Sequence, residues 1–405
     1  MIIPKVALKI IAILNEASYS AYFVGGCVRD MLMGKKPVDF DITTSARPEE
    51  VKKLFKKTID TGIKHGTVTV ISSGESYEVT TYRLDGKYAD FRHPDEVTFT
   101  GDLKEDLRRR DFTVNAIAYH PLEGYIDFFG GKEDIEAKII RGVGDPGERF
   151  REDALRMLRA VRFAARLGFD IEDETFLAIK ENSQLISHVS RERIRDELIK
   201  ALTSEYVSKC GYFNECEILN QALPFISGYL KGRLPAFINC ISNMEKSDRT
   251  AENVLALLFK DYADEKELIK QLQALKLDNA AMRGISAVSK EIYRELLPSS
   301  YDIKKAMVRL SVEGFFSLLL CKKACGEDVS LLKAIGEEVI KRREPLFIKD
   351  MKINGHIIKE HLAVSGVQVG ALLSALHDEI LMNPDKNDED YLLSYAKKLT
   401  ESDRY

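Results

Sequence analysis

The hydrophobic pattern of this 405-residue chain changes once, near residue 140, and this change limits the folds open to it. Before it, short β-branched runs at 67–71 and 77–82 alternate with glycine-bearing turns, and helical patterns begin near Pro4 and Pro48. After it, amphipathic patterns with a helical period of about 3.6 residues follow one another. The sequence therefore predicts an α+β domain with a small mixed sheet, followed by an all-α remainder.

The composition is that of an ordinary globular protein, with 45% hydrophobic and 31% charged residues. The 60 basic and 64 acidic residues give a net charge of −4, unlike the basic balance of most nucleic-acid-binding proteins. Six scattered cysteines without a CxxC pair indicate a reducing, cytoplasmic setting, and the first residues, interrupted by Lys5 and Lys9, do not resemble a signal peptide. The uncharged stretch 361–377 is too short to cross a membrane, so we expect a buried helix and no membrane partner.

A glycine turn early in the chain is suited to binding a phosphate. Gly25 and Gly26 let the backbone approach a ligand closely and can direct N–H groups towards an anion. Arg29, about one helical turn later, adds a guanidinium that can bind phosphate oxygens. A pair of glycines alone is more often only a tight turn, so the assignment depends on the residues that come after it in the chain.

Two aspartates come next, separated by one residue. Since alternate side chains of a strand share one face, Asp39 and Asp41 are expected to point the same way. The opposite face would bury the apolar neighbours Val38, Phe40 and Ile42. Two carboxylates side by side repel unless a cation lies between them, and hard oxygen ligands with retained water suit Mg²⁺. The two features together predict a magnesium site beside a phosphate-binding turn.

This combination, with Gly34 between the turn and the aspartates, resembles the signature of the DNA polymerase beta nucleotidyltransferase superfamily. More narrowly, it resembles class II, which comprises CCA-adding enzymes (tRNA nucleotidyltransferases) and bacterial poly(A) polymerases. The resemblance implies two metal ions, one activating the attacking 3′-hydroxyl of the RNA and one holding the triphosphate and the leaving pyrophosphate. It also implies a third carboxylate from a neighbouring strand, for which Glu78 is the candidate; an exposed strand residue is the equal alternative.

Residues 109–116 resemble the second motif of this family, which is associated with the sugar and phosphates of the incoming nucleotide. Arg110 can bind phosphate oxygens in bidentate fashion, while Asp111 and Asn115 can hydrogen-bond the ribose hydroxyls. The intervening segment 85–95 combines glycine, proline and charge, which predicts a loop. Its form at 90–94 resembles that of family members that add the terminal A, whereas CC-only members have this loop shortened.

The segment 149–166 is rich in arginine, with six arginines, no lysine and two acids. We expect one amphipathic helix whose polar side carries Asp153, Arg156, Arg159 and Arg162. Asp153, three residues before Arg156, places an acceptor beside a donor, and such a pair matches the Watson–Crick edges of C and A but not those of G and U. A solvated helix with internal ion pairs is the alternative, but the exclusive use of arginine favours planar, bidentate recognition.

Residues 152–156 resemble the fourth family motif, to which nucleotide selection is assigned, and the resemblance implies that Arg159 and Arg162 contact the phosphates or the base. Residues 191–197 resemble the fifth motif, to which we assign a supporting role. The resemblance thins from about 205 to 345 and returns at 353–376, which resembles the tail of bacterial CCA-adding enzymes. That tail would bind the acceptor end and T arm of tRNA by shape and phosphate contacts.

These observations predict four parts, an α+β nucleotidyltransferase head at 1–140 followed by an all-α neck at 141–204, body at 205–320 and tRNA-binding tail at 321–405. We expect template-independent addition of CCA to the 3′ end of tRNA from CTP and ATP, with release of pyrophosphate and with Mg²⁺ as cofactor. An A-adding enzyme, a bacterial poly(A) polymerase and a catalytically silent RNA-binding relative are the alternatives. The sequence does not indicate an oligomeric state.

Overall fold

The computed structural model describes residues 3–86, 97–262 and 264–401. The chain divides into two compact units, residues 1–238 and 239–405. The finer division into head, neck, body and tail remains a proposal, and its last boundary, at 320/321, falls inside the helix Val312–Ala324. Of the loop expected at 85–95, residues 87–95 lie outside the described residues, so the interpretation of 90–94 stays a prediction.

The first unit contains every strand of the described residues, and the helix α13 runs across its boundary. The strands are β1 (Ala21–Val24), β2 (Asp41–Thr44), β3 (Thr58–Gly62), β4 (Thr67–Ser72), β5 (Glu75–Thr81), β6 (Arg83–Asp85), β7 (Val97–Phe99), β8 (Ile117–His120), β9 (Gly124–Asp127), β10 (Ile139–Ile140) and β11 (Asp170–Ile171). The helices are α1 (Lys5–Glu16), α2 (Gly26–Leu32), α3 (Pro48–Leu54), α4 (Leu103–Arg108), α5 (Gly131–Ala137), α6 (Pro146–Glu152), α7 (Leu155–Leu167), α8 (Asp173–Asn182), α9 (Arg191–Leu202), α10 (Tyr212–Glu215), α11 (Ile218–Ala222), α12 (Pro224–Leu230) and α13 (Leu234–Ser242).

A seven-stranded sheet forms the centre of the N-terminal part, with strand order β3-β4-β5-β2-β1-β8-β9. β2 runs parallel to β5, and the other neighbouring strands are antiparallel, which confirms the predicted mixed sheet. Its apolar side chains pack against α1, with Ile10, Phe23 and Ile42 among the buried residues of this core. The sheet fixes the positions of Asp41, at the start of β2, and of Glu78, in the middle of the neighbouring strand β5.

The strand expected to hold both aspartates begins only at Asp41, so Asp39 precedes it. Phe40 and Ile42 are buried as predicted, but Val38 is 91% exposed, which corrects the expectation that all three neighbours face the core. Residues 35–40 have no regular secondary structure, so the two-residue alternation of a strand does not extend back to Val38.

The segment expected as a single helix over 149–166 forms two helices, α6 and α7. At the break, Asp153 has an extended backbone, and its Oδ1 accepts a hydrogen bond from the N–H of Leu155 at 3.1 Å. Aspartate competes with helical backbone bonding through such local contacts, which explains the interruption. The amphipathic character is confirmed, since the side chains opposite the predicted polar side are fully buried: Ala154, Met157, Leu158, Val161, Ala164 and Ala165.

All regular secondary structure among the described residues of the second unit is helical. Its helices are α14 (Ala251–Leu258), α15 (Glu265–Ala274), α16 (Asn279–Glu291), α17 (Ser300–Leu310), α18 (Val312–Ala324), α19 (Ser330–Lys341), α20 (Gly355–His361), α21 (Gly366–Met382) and α22 (Glu389–Glu401). One apolar core joins α17, α18 and α19, and another joins α20, α21 and α22. Among the described helices, none has the length and apolar character needed to span a bilayer.

Candidate active site

A cavity of about 470 Å³ in the first unit gathers most of the predicted site residues. It is lined by Gly25, Gly26, Arg29, Asp30, Val38, Asp39, Asp41, Arg110, Asp111, Asn115, Arg159, Arg162, Phe163 and Arg166. Five of these side chains are arginines and four are aspartates. The cavity therefore offers guanidinium groups for phosphates beside carboxylates suited to a cation.

The glycine turn lies directly against an arginine. Gly25 has a φ of +77°, in the region that favours glycine, and it precedes α2. A Cβ atom on Gly25 would lie 3.1 Å from Nη1 of Arg110, so the absence of a side chain makes room for this guanidinium. Nε of Arg110 is buried and finds no hydrogen-bond partner within the described part of the chain.

A chain of hydrogen bonds orders the floor of the cavity. Arg29, only 2% exposed, donates from Nη1 to Oδ1 of Asn115 at 2.6 Å and from Nη2 to Asp30 at 2.7 Å. Asn115 in turn donates to Oδ1 of Asp111 at 3.1 Å. Arg159 donates from Nε and Nη2 to Oδ2 of Asp111, at 2.9 and 2.5 Å. Although burial raises the pKa of Asp111, Arg159 and Asn115 outweigh it and lower the pKa to about 2, so this carboxylate is ionised.

An aromatic ring lies among the arginines on α7. The guanidinium carbons of Arg29, Arg159 and Arg162 lie 5.5, 5.3 and 4.1 Å from the centre of the Phe163 ring. Arg162 also donates from Nε to Glu197 of α9 at 2.5 Å, in a pair that is almost completely buried. These contacts hold the guanidinium planes in place before any ligand binds.

Asp153 and Arg156 are not among the residues that line this cavity, although every residue from 97 to 262 is described. Asp153 pairs with Arg193 of α9 at 2.8 Å instead of with Arg156. Arg156 donates to Glu152 at 2.7 Å and to the carbonyl of Arg109 at 3.0 Å. The structure thus brings Arg159 and Arg162 to the cavity and leaves the expected base-reading pair outside it, each member held by another partner.

The carboxylates of Asp39 and Asp41 both line the cavity. Burial, followed by the charges of Asp39 and Glu78, raises the pKa of Asp41 to about 6, against a lowering contribution from Arg110. Among the described residues, no group of three or more Asp, Glu, His or Cys side chains is arranged to hold an ion, so Glu78 does not complete a three-carboxylate cluster as placed here.

A second cavity, of about 230 Å³, lies beside the first. It is lined by Val24, Asp41, Ile42, Thr67, Glu78, Thr80, Arg83, Arg109 and Arg110. Asp41 and Arg110 line both cavities. Two ligands could therefore approach the same carboxylate and the same guanidinium from different directions.

Sequence reasoning passed over Arg166 and Phe163 as site residues, yet both line the larger cavity. The signal for Arg166 was present, because positions 159, 162 and 166 follow the i, i+3, i+7 spacing of one helix face. For Phe163 the signal was its place on the polar side of an otherwise amphipathic helix.

A mixed sheet whose strand β2 begins at Asp41, two residues after Asp39 and beside an arginine-lined cavity, places this chain in the class of the nucleotidyltransferases. A family model described as "Poly A polymerase head domain" matches residues 21–141, and one described as "Probable RNA and SrmB- binding site of polymerase A" matches residues 168–230.

Full-length relatives narrow the class further. The CCA-adding enzyme of Lactobacillus gasseri is 39% identical over 95% of this chain and 94% of its own, and that of Lactiplantibacillus plantarum is 36% identical over 98% and 97%. The crystal structure of the Bacillus stearothermophilus CCA-adding enzyme in complex with CTP matches with a TM-score of 0.85, at 33% identity and over 98% of this chain and 97% of that one. The Thermotoga maritima enzyme complexed with tRNA shares the fold, with a TM-score of 0.64 at 22% identity over 98% and 96% of the two chains. The chain belongs to the family of CCA-adding enzymes.

Proposed function

We propose that this chain adds CCA to the 3′ end of tRNA without a nucleic-acid template, using CTP and ATP and releasing pyrophosphate. The observation that carries the proposal is the single cavity that Asp39 and Asp41 share with five arginines. The similarity to CCA-adding enzymes over 95% or more of the chain supports the choice of substrates. So does the likeness to the Bacillus stearothermophilus enzyme, which was crystallised with CTP.

The arginines and the glycine turn would bind the triphosphate. Arg110, whose Nη1 lies over Gly25, would donate to phosphate oxygens, and Gly26 would let the backbone approach them. Arg29 would add positive charge from the floor of the cavity. Asp111 and Asn115, already fixed by their own hydrogen bonds, would direct their remaining lone pairs to the ribose hydroxyls.

Asp39 and Asp41 would hold Mg²⁺ together with phosphate oxygens of the nucleotide. The donor set fits a hard cation, because burial and then the charges of Asp39 and Glu78 raise the pKa of Asp41 to about 6, and a cation between the carboxylates would offset both effects. When bound, such ions activate the 3′-hydroxyl and stabilise the leaving pyrophosphate.

Catalysis would otherwise depend on positioning and on stabilisation of charge, as is usual in phosphoryl transfer. The smaller cavity would receive the 3′-terminal ribose of the acceptor RNA, next to Asp41. Arg110, which lines both cavities, would stabilise the charge that develops on the transferred phosphoryl group.

Asp153, Arg156, Arg159 and Arg162 would select the base. Arg159 and Arg162 line the cavity beside Phe163, whose ring offers a surface for stacking. When a nucleotide enters, Asp153 would leave Arg193, and Arg156 would leave Glu152. Both side chains would then hydrogen-bond the Watson–Crick edge of C or A. The similar energies of protein and ligand hydrogen bonds make such an exchange feasible.

The helical parts of the chain would hold the tRNA. The tail at 321–405 would bind the acceptor end and T arm of tRNA. It would follow the neck at 141–204 and the body at 205–320.

A cytoplasmic location is supported by the six cysteines, which are all free thiols.

The test is to supply tRNA transcripts that end before CCA, after C and after CC, with CTP, ATP or both, and to sequence the new 3′ ends. We expect completed CCA on all three transcripts when both nucleotides are present. Addition of a single A to the CC transcript alone would identify an A-adding enzyme. Long A tails would identify a poly(A) polymerase, the name that the matching head-domain model carries. No product from any transcript would favour a silent RNA-binding relative.

A further inference from the structure

A buried carboxylate lies behind the two arginines at the junction of the cavities. Asp106 on α4 is 0% exposed and lines neither cavity. It accepts hydrogen bonds from Nε and Nη2 of Arg109 at 3.0 and 2.8 Å, and it pairs with Nη2 of Arg110 at 3.5 Å. A fully buried carboxylate is costly unless such partners offset its desolvation.

The same carboxylate is tied to the strand that carries Asp41. Thr43, two residues further along β2, donates from Oγ1 to Oδ2 of Asp106 at 3.0 Å. Although burial raises the pKa of Asp106, Arg109 and Arg110 outweigh it and hold the pKa below its usual value, so the group is ionised. Asp106 therefore connects the candidate acidic strand with both guanidiniums through bonds made inside the protein.

We propose that Asp106 is a positioning residue that fixes Arg110 for the nucleotide and Arg109 for the smaller cavity. This inference rests on the proposed function, because it assumes that Arg110 binds the triphosphate. Arg110 has few other constraints: among the described residues its Nε has no hydrogen-bond partner, and no Cβ at Gly25 blocks its Nη1. Without the carboxylate at Asp106, the guanidinium would lose the charge that sets its direction.

The test compares Asp106→Asn with Asp134→Asn by calorimetric titration with CTP. Asp134 is a matched control, because it is also buried, accepts from the hydroxyl of Thr113 and pairs with Arg141, yet it lines neither cavity. We expect Asp106→Asn to raise the Kd for CTP by about tenfold to a hundredfold, as misplacement of a binding group does. Asp134→Asn should leave the Kd within about twofold while costing comparable stability in urea unfolding.

A double-mutant cycle with Arg110→Ala separates positioning from general structural damage. Of the two arginines that Asp106 holds, Arg110 lines the larger cavity and Arg109 does not. CTP affinity therefore reports on Arg110 and not on Arg109. In the Arg110→Ala background, Asp106→Asn should change the Kd by less than about twofold. The inference is overturned if Asp106→Asn leaves CTP affinity unchanged while Arg110→Ala weakens it, or if the two effects add independently. Unchanged affinity in Arg110→Ala itself would instead remove the proposed role of Arg110.

Discussion

Most charged side chains in the larger cavity are already paired within the protein. Arg29 is held by Asp30 and Asn115, and Arg159 is held by Asp111. Side chains fixed in this way lose little conformational freedom when a ligand binds, which favours affinity for a ligand of matching shape. Arg166 is different, because it is exposed and makes no ion pair among the described residues. It is therefore the guanidinium most free to follow a bound nucleotide.

The backbone conformation of Gly25 leads to a prediction for a single substitution. Gly25→Ala should lower the free energy of unfolding by roughly 1–3 kcal/mol, because a φ of +77° strains any residue with a Cβ. It should also weaken CTP binding, since the new methyl group would lie 3.1 Å from Nη1 of Arg110. Urea unfolding and CTP titration measure the two effects.

Gly34→Ala is the control for that substitution. Gly34 has a φ of +71°, but a Cβ there would meet nothing within 4 Å. It should share the loss of stability and leave CTP affinity unchanged. Equal weakening of CTP binding by both variants would show that backbone strain, and not the approach to Arg110, is responsible.

At the scale of elements, the local sequence pattern predicts those helices and strands that interactions between nearby residues determine. The β-branched run at 67–71 lies in β4, the run at 77–82 lies in β5 as far as Thr81, and the apolar side of α7 is buried as expected. The break at Asp153 was not predicted, because the helical pattern continues across it. Asp153 accepts from the N–H of Leu155 with Oδ1, while its Oδ2 is held by Arg193, 40 residues further along. Asp106 carries no periodic signal either, since its contact with Thr43 spans 63 residues. Both omissions concern polar side chains whose partners are distant in sequence.

The buried ion pair between Arg162 of α7 and Glu197 of α9 leads to a prediction about stability. Glu197→Gln should lower the free energy of unfolding by about 3–5 kcal/mol, because it leaves the buried guanidinium of Arg162 without its charged partner. Chemical denaturation measures this loss. Glu105→Gln, which removes the partially exposed i, i+3 pair with Arg108, should cost less than about 1 kcal/mol. A similar small cost for both variants would contradict the structural role assigned to Glu197.

At the scale of the whole molecule, net charge says little about the ligand. The chain carries −4 overall, yet one cavity gathers five arginines, all on residues between 29 and 166 of the first unit. Whole-chain charge governs solubility and association, whereas recognition depends on where a few charges are placed. The second unit contributes two separate helical cores, one between residues 303 and 346 and one between 351 and 396. The proposed role of its tail, at 321–405, is to bind the acceptor end and T arm of tRNA and not to take part in the chemistry.

The central claim is that nucleotide addition takes place at the Asp39 and Asp41 carboxylates of this cavity. The most direct measurement is incorporation of labelled CTP and ATP into tRNA lacking CCA, by the unmodified protein, Asp41→Asn and Asp60→Asn. Asp60 is a control carboxylate that is exposed on β3 and lines neither cavity. We predict that Asp41→Asn lowers the rate by roughly a thousandfold or more, since metal-assisted stabilisation amounts to several kcal/mol, while Asp60→Asn has no effect. Incorporation by Asp41→Asn at the rate of the unmodified protein would contradict the account.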